Sequence, residues 1–167
     1  MRLTKFSDYA LRALMYAAAR KDSLSTIEET AELYQISRAH LKKVVMLLTR
    51  EGFLHSSRGR AGGFKLALAP EDINLGALLR VTEPDFGLVE CFLPGNTCHI
   101  TRRCHLPVIL NEALCDFMAV FSRHTLADIL LEERSFMATD HKIEPQRGPY
   151  FATGGKGVTG TKTKPTD

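Results

Sequence analysis

Between Phe6 and Leu68 the chain carries three helical apolar repeats, then two short β-type runs joined by a glycine-rich turn bearing arginines, an order few folds accept. From Phe6 to Arg20, Leu11, Leu14, Met15 and Ala18 recur at i, i+3, i+4 and i+7 in an alanine-rich stretch without a breaker. This is the pattern of an amphipathic helix, with Ser7 or Asp8 near its cap. Ser25 and Glu28 stand at capping-box spacing and open a second helix through Ala31 and Leu33. The pattern fades at Tyr34-Gln35-Ile36. Ser37 then caps a third helix running through Leu41, Val44, Val45, Leu47 and Leu48 to Glu51, with Gly52 at its end.

Two helices separated by so short a turn have the geometry of a helix-turn-helix. Ala31 is small where the helices must approach closely, and Ile36, Leu41 and Val44 can fill the core between them. Gln35 stands where the turn's usual glycine is expected, which leaves a plain helical hairpin open on this segment alone. Phe53 to Ser57 and Phe64 to Leu68 read as two strands, and Arg58-Gly59-Arg60-Ala61-Gly62-Gly63 as the hairpin tip between them. Two arginines on that tip suit a phosphate backbone or a narrow minor groove. A helix-turn-helix followed by a basic hairpin is a winged helix. The tip lacks the G-x-x-x-x-G-K-[ST] order and opens no helix, and Gly155-Lys156 is followed by Gly157, so neither is a nucleotide loop.

Charge supports the same partner. The net charge of +3 conceals an asymmetry: residues 1–69 carry 12 lysines and arginines against 6 carboxylates, a balance of +6, while residues 70–167 carry 10 against 13, a balance of −3. A basic N-terminal part points to a polyanion, a solvated basic face being the plain alternative. No apolar run approaches the roughly 20 residues a membrane span needs, and Met1-Arg2-Leu3-Thr4-Lys5 lacks a secretory leader. The expectation is a cytoplasmic protein with reduced thiols.

Past the wing, Pro70-Glu71-Asp72 ends the hairpin and Asn74 caps a short helix bearing Leu75, Leu78 and Leu79. Cys91, Cys98 and Cys104 follow within 14 residues, in a chain with only 4 cysteines. Pro94, Gly95 and Asn96 are turn formers that let this segment fold back and bring three sulfurs to one point. Thiolates so placed suit zinc or an iron–sulfur cluster, although the C-x2-C spacing of a structural zinc site is missing. An odd number speaks against a disulfide, and unrelated buried cysteines are the plain alternative. A cysteine-nucleophile enzyme is set aside because no base stands in a recognisable pattern with these thiols.

Leu106 to about Leu131 forms the longest helical stretch. Within it Leu110, Leu114, Phe117, Phe121 and His124 alternate at four- and three-residue steps, a 3.5-residue seam suited to the same helix of a second chain. Cys115 is expected in the core. From about Ser135 the composition turns to Gly, Lys, Thr and Pro, which cannot bury a core, so the tail is expected to be disordered. The resulting division is 1–70 winged helix-turn-helix, 71–105 connecting helix and cysteine loop, 106–132 dimerisation helix and 133–167 tail.

Over residues 1–132 this order of parts resembles the dimeric bacterial winged-helix iron–sulfur transcription regulators. Met1 to Arg12, and Val89-Glu90-Cys91 with Gly95-Asn96-Thr97-Cys98, look most like their nitric-oxide-sensing repressors. The resemblance implies a mainly α winged helix-turn-helix with a long C-terminal dimerisation helix. It also implies a [4Fe–4S] cluster on Cys91, Cys98 and Cys104, with Asp8 of the partner subunit as fourth ligand. Three thiolates and a variable fourth ligand leave [2Fe–2S] open. For Asp8 the plain alternative is a carboxylate favoured by the helix dipole. Arg12, one turn on, would pair with Asp8 without a cluster or orient it with one. Another branch of the family uses a histidine three residues past the last cysteine; Pro107 stands there, and His99 and His105 are minor candidates. The third helix would enter the major groove with Ser37, Arg38, His40 and Lys42 toward base edges, Lys43 on a phosphate, and Arg58, Gly59 and Arg60 on the wing. The implied partners are a palindromic double-stranded operator, a second copy of the chain, and nitric oxide as the signal that lowers operator affinity. The other function kept in view is a regulator of the same fold that senses iron–sulfur status, a small molecule or thiol redox state.

Overall fold

The computed structural model describes residues 3–20, 23–57, 59 and 62–137. Helix α1 spans Lys5–Ala19 and is capped by Thr4, whose side chain accepts the Ser7 N–H; Ser7 and Asp8, the expected caps, lie one turn inside. Its buried face is Ala10, Ala13, Leu14, Ala17 and Ala18, and the small alanines let the helices at Arg38–Arg50 and Leu75–Thr82 and the second wing strand approach closely. Helix α2, Ile27–Tyr34, opens on a capping box formed by Thr26 and Glu29, one residue later than Ser25 and Glu28. The reason lies elsewhere in the chain. Ser25 donates its N–H to the Phe64 carbonyl at 2.9 Å and accepts the Phe64 N–H at 2.8 Å, so its backbone is committed to the wing. A side chain at Gly63 would put its Cβ 2.5 Å from the Ser25 carbonyl oxygen, which only glycine avoids.

Gln35 adopts the left-handed conformation, φ 52° and ψ 43°, that the turn requires. It does the work expected of glycine at a cost of roughly 1–2 kcal/mol, and the following Ile36 N–H reaches back to the Ala31 carbonyl at 2.9 Å. Helix α3 runs Arg38–Arg50; Ser37 precedes it without a side-chain capping bond, and Leu41, Val44, Val45 and Leu48 point inward. Strands β1, Leu54–Ser57, and β2, Gly63–Leu66, pair antiparallel with Leu54 opposite Leu66 and Ser56 opposite Phe64. Leu54 and Phe64 close the core, each 1% exposed.

Helix α4, Leu75–Thr82, is capped by Asn74 as expected, its side-chain oxygen accepting the Ala77 N–H at 3.0 Å. Helix α5 is Leu106–Ser122 and stops well short of Leu131. Here tertiary contacts override helical propensity. Asn74 Nδ2 donates to the Ser122 carbonyl at 2.8 Å, Leu75 N–H to the His124 carbonyl at 3.0 Å, and Leu126 N–H to the Ile73 carbonyl at 2.8 Å. Leu126 is thereby drawn completely into the core, and a second capping box, Thr125 with Asp128, starts a short turn at Leu126–Ile129. Gly76 faces this corner, where a Cβ would come within 2.4 Å of Ser122 Oγ.

No residue of α5 is fully buried. The seam expected to face a second chain, Leu110, Leu114, Phe117 and Phe121, is half-buried within this one, and His124 lies beyond the helix. The exposed stripe is a different one: Leu106, Ile109, Ala113 and Val120, interrupted by exposed Asp116 at the step between the last two. Cys115 is exposed, not core. Helix α6, Arg134–Met137, extends ordered structure past residue 132, with the Phe136 ring edge-on to Tyr16 at 5.6 Å. The tail from Ala138 onward lies outside the described residues. No helix among the described residues is long and apolar enough to cross a membrane.

Candidate functional site

The helical period of α3 separates two sets of side chains. While Leu41, Val44, Val45 and Leu48 are buried, Ser37, Arg38, His40, Lys42 and Lys43 are all exposed. Among the described residues Arg38, Lys42 and Lys43 make no salt bridge, so their charge is free for an external anion. A concavity of about 770 Å³ lies between this helix and the wing, with Arg38, Lys42 and Met46 on one wall and Ser56, Ser57 and Gly59 on the other. Gly59 is exposed at the tip with φ 111°, and Arg58 and Arg60 lie outside the described residues. Sequence reasoning missed Met46, Ser56 and Ser57. Met46 is 63% exposed, and its only sequence signal is its place four residues after Lys42, off the buried stripe. Such a surface offers guanidinium, ammonium and hydroxyl donors to base edges and phosphates, with a thioether for apolar contact.

The cysteine segment is folded back by its own polar side chains. The Glu90 carboxylate accepts both the Thr97 N–H at 3.1 Å and the Thr97 hydroxyl at 2.8 Å. Those two donors hold its carboxyl below the usual range, the backbone one contributing most. Asn96 accepts the Cys98 N–H at 2.9 Å and donates to Thr101 Oγ1 at 2.9 Å, and the Thr101 hydroxyl donates to the Cys98 carbonyl at 2.8 Å. Gly95 makes the reversal at φ 83°. Cys91 and Cys104 are half-buried, Cys98 is exposed, and none is in a disulfide. By donor chemistry this set fits a soft-metal cluster: free thiols and an accessible carboxylate. The chain does not gather them by itself. Among the described residues no three His, Cys, Asp or Glu side chains are grouped so as to hold a metal ion, and His99 and His105 are simply exposed.

Asp8 lies in the first turn of α1 and is engaged by Arg12, whose Nε donates to Oδ1 at 3.0 Å while Nη2 meets Oδ2 at 2.9 Å. The start of α1 is fixed from the end of α4. Glu83 accepts the Thr4 N–H at 2.9 Å, and the Ser7 hydroxyl donates to Thr82 Oγ1 at 2.8 Å. On its other side the Arg12 guanidinium stands 5.6 Å from the centre of the Tyr34 ring, and the Tyr34 hydroxyl donates to the Arg12 carbonyl at 3.3 Å. Burial pushes the Tyr34 phenol up to about 12, against the opposing pull of Arg12.

Residues 3–132 match the family described as Rrf2, iron-dependent transcriptional regulator. The chain belongs to the Rrf2 family. An HTH-type transcriptional regulator NsrR from Bacillus subtilis is 45% identical over 139 residues, covering 82% of this Rrf2 chain and 95% of that protein. The NsrR of Halalkalibacterium halodurans is 43% identical over 140 residues, covering 83% and 96%. Among solved structures, T. potens IscR superposes with a TM-score of 0.61 at 22% identity, covering 77% of this chain and 85% of that one. CymR of B. subtilis, the global cysteine regulator, gives 0.57 at 22%, covering 77% and 95%. At that identity the two structures speak for the fold alone. This Rrf2 protein is a winged-helix, DNA-binding transcriptional regulator.

Proposed function

We propose that this Rrf2 regulator is a homodimeric, cytoplasmic repressor whose hold on a palindromic operator depends on a [4Fe–4S] cluster and is released by nitric oxide. The observation that carries the proposal is a loop with three free thiols in a chain 45% identical to an NsrR. Cys91, Cys98 and Cys104 are the thiolate ligands and Asp8 of the partner subunit is the fourth. When bound, such a cluster supplies iron that nitric oxide attacks. Asp8, a hard oxygen donor among soft sulfurs, is the weakest of the four attachments. Asp8 would tie one subunit's reading head to the other subunit's cysteine loop when it holds the cluster, and without one it is held by Arg12, one turn away on its own helix.

The second copy of the chain is expected on the stripe Leu106, Ile109, Ala113 and Val120, which is apolar apart from Asp116 and exposed among the described residues. Dimerisation places two α3 helices against two half-sites, with Ser37, Arg38, His40 and Lys42 toward the bases and Lys43, Arg58, Gly59 and Arg60 along the backbone. Replacing Lys43 with Ala is expected to lower the salt slope of binding by about one. Exposed Cys98 favours one other reading, a thiol-redox regulator of the same fold.

The test is iron and sulfide content and an absorption spectrum of protein purified without oxygen, followed by binding to a duplex selected from a random pool, before and after nitric oxide. A four-iron cluster and binding lost on nitrosylation are expected. Two irons per chain would replace [4Fe–4S] by [2Fe–2S]. Iron-free protein that binds DNA tightly, responding to thiol oxidants and not to nitric oxide, would overturn the cluster reading in favour of the redox one.

A further inference from the structure

Asp8 lies on α1, which packs directly against α3, and beside that packing one polar and aromatic path leads from Asp8 to the turn before α3. Arg12 grips Asp8 with two bonds of 2.9 and 3.0 Å, and the same guanidinium lies 5.6 Å over the Tyr34 ring. Tyr34 is the last residue of α2, followed directly by the left-handed Gln35 and then by α3. Apart from Thr30 and Ala31, α2 has no fully buried side chain. Its C-terminal end is seated by Ala31, by the buried Ile36 just beyond it, and by Tyr34, which binds α1 by its hydroxyl at the Arg12 carbonyl, 3.3 Å, and stands edge-on to Tyr16 at 6.5 Å between ring centres.

The Asp8–Arg12 pair is poor at holding structure. Both side chains are more than two-fifths exposed, and pairs in that setting contribute little to stability because water screens them. It is correspondingly easy to exchange. A guanidinium neutralised by a carboxylate and one without that partner differ in their attraction for an aromatic face, since the ring's quadrupole responds to net positive charge. The partner of Asp8 thus sets the pull on Tyr34, and Tyr34 sets the turn.

We infer that Tyr34 is a positioning residue that relays the engagement of Asp8, through Arg12, to the turn between α2 and α3 and so to the orientation of the recognition helix. The relay rests on the proposed role of Asp8 as a ligand borrowed by the partner subunit, and it names the path by which that event reaches the DNA-binding face. Tyr34 acts through the turn, whose Gln35, Ile36 and Leu41 amides are bonded to the Glu32, Ala31 and Ser37 carbonyls at 3.2, 2.9 and 3.0 Å.

The test is a double-mutant cycle on the full-length chain, read by hydrogen exchange of the peptide spanning Gln35 to Leu41. It is run on iron-free protein; no cysteine is among the buried core residues. Asp8→Ala mimics withdrawal of the carboxylate from Arg12. It is expected to change exchange in this peptide by about two- to fivefold, the range of an exposed cation–π contact. The same change in a Tyr34→Leu background is expected to have no effect, whereas Tyr34→Phe, which keeps the ring, preserves the response. A merely structural Tyr34 would give additive effects, and additivity overturns the relay, as does an Asp8→Ala protein with unaltered exchange. Iron binding is assayed separately on the unmodified chain. A chain that takes up no iron but shows the non-additive cycle would remove the cluster and leave the coupling; a chain that loads iron with an additive cycle would remove the relay alone.

Discussion

The winged helix and the segment after it obey different rules. In the first, Leu14, Leu41, Val44 and Leu48 are fully buried, and the elements are joined by side-chain caps and long-range backbone bonds. In the second, α5 buries none of its 17 residues although most are apolar, and the cysteine loop before it is held by hydrogen bonds among its own polar side chains. The first region is complete as one chain. The second has the composition of an interior and the exposure of a surface, which is the condition of a part that is finished by something outside itself. On the proposal above, a second copy covers α5 and iron gathers the thiols.

The largest way to test this contrast is to remove equal amounts of side chain from each region. Leu41→Ala, at a fully buried position, is expected to lower unfolding free energy by about 2–5 kcal/mol. Ile100→Ala, at a loop residue 63% exposed, is expected to change it by less than about 0.5 kcal/mol. Urea denaturation of iron-free protein measures both. Similar losses would mean that the loop shares the core after all.

Next in size is the choice of face on α5. Ile109→Asp puts a charge on the open stripe and is expected to weaken self-association about thirtyfold or more, the effect of losing one central anchor of roughly 2 kcal/mol, while urea unfolding of the isolated chain is unchanged. Sedimentation velocity over a concentration series reads the first quantity. A dimer of undiminished strength would return the interface to the Leu110 and Phe117 face.

That face illustrates where the sequence was legible and where it was not. The three N-terminal helices and the hairpin announced themselves because each buries one stripe, so period and burial coincide. Helix α5 is apolar on several sides, and two different stripes satisfy the same 3.5-residue spacing; which one turns inward is decided by α4 and by the corner at Gly76 and Ser122. Its early end was invisible for a related reason, since the bonds from Asn74 and Ile73 that replace the last turns come from residues about fifty positions away. The exposed side chains of α3 were legible as the complement of its buried stripe, but Ser56 and Ser57 carried no mark of their own. The cysteines were legible as a set by count and spacing. Spacing alone did not bring them together: among the described residues no three His, Cys, Asp or Glu side chains are grouped to hold a metal ion.

Acid offers a smaller test of the same division. The Glu90 carboxyl is held below its ordinary 4.5 by the Thr97 N–H and hydroxyl. Its folded form therefore binds fewer protons than its unfolded form, and its contribution to loop order is fully present above that ordinary value. It is lost as pH falls below 4.5 through the depressed value. A pH titration of the Thr97 amide resonance should show this transition, and Glu90→Gln should abolish it, with the amides of Leu41 and Val44 silent in both proteins. Movement of the core amides at the same midpoint would join the loop to the winged helix as one cooperative unit.

The smallest effect contrasts two neighbours within the winged helix itself. Ser25 and Thr26 are adjacent hydroxyl residues at the entrance to α2, and either could cap it by composition alone. Thr26 does so, exchanging bonds of 3.0 and 3.1 Å with Glu29, whereas the Ser25 hydroxyl is buried without a partner among the described residues. Thr26→Ala is expected to cost about 1 kcal/mol, the usual loss for a removed cap. Ser25→Ala removes a polar atom that is desolvated and unbonded, so stability should stay level or rise by up to about 1 kcal/mol. What Ser25 contributes is its backbone, paired on both sides with Phe64, and alanine keeps that pairing intact. A loss at Ser25 as large as that at Thr26 would move the capping register back by one residue. It would also loosen the argument that the wing, through Phe64 and Gly63, decides where the helix-turn-helix begins.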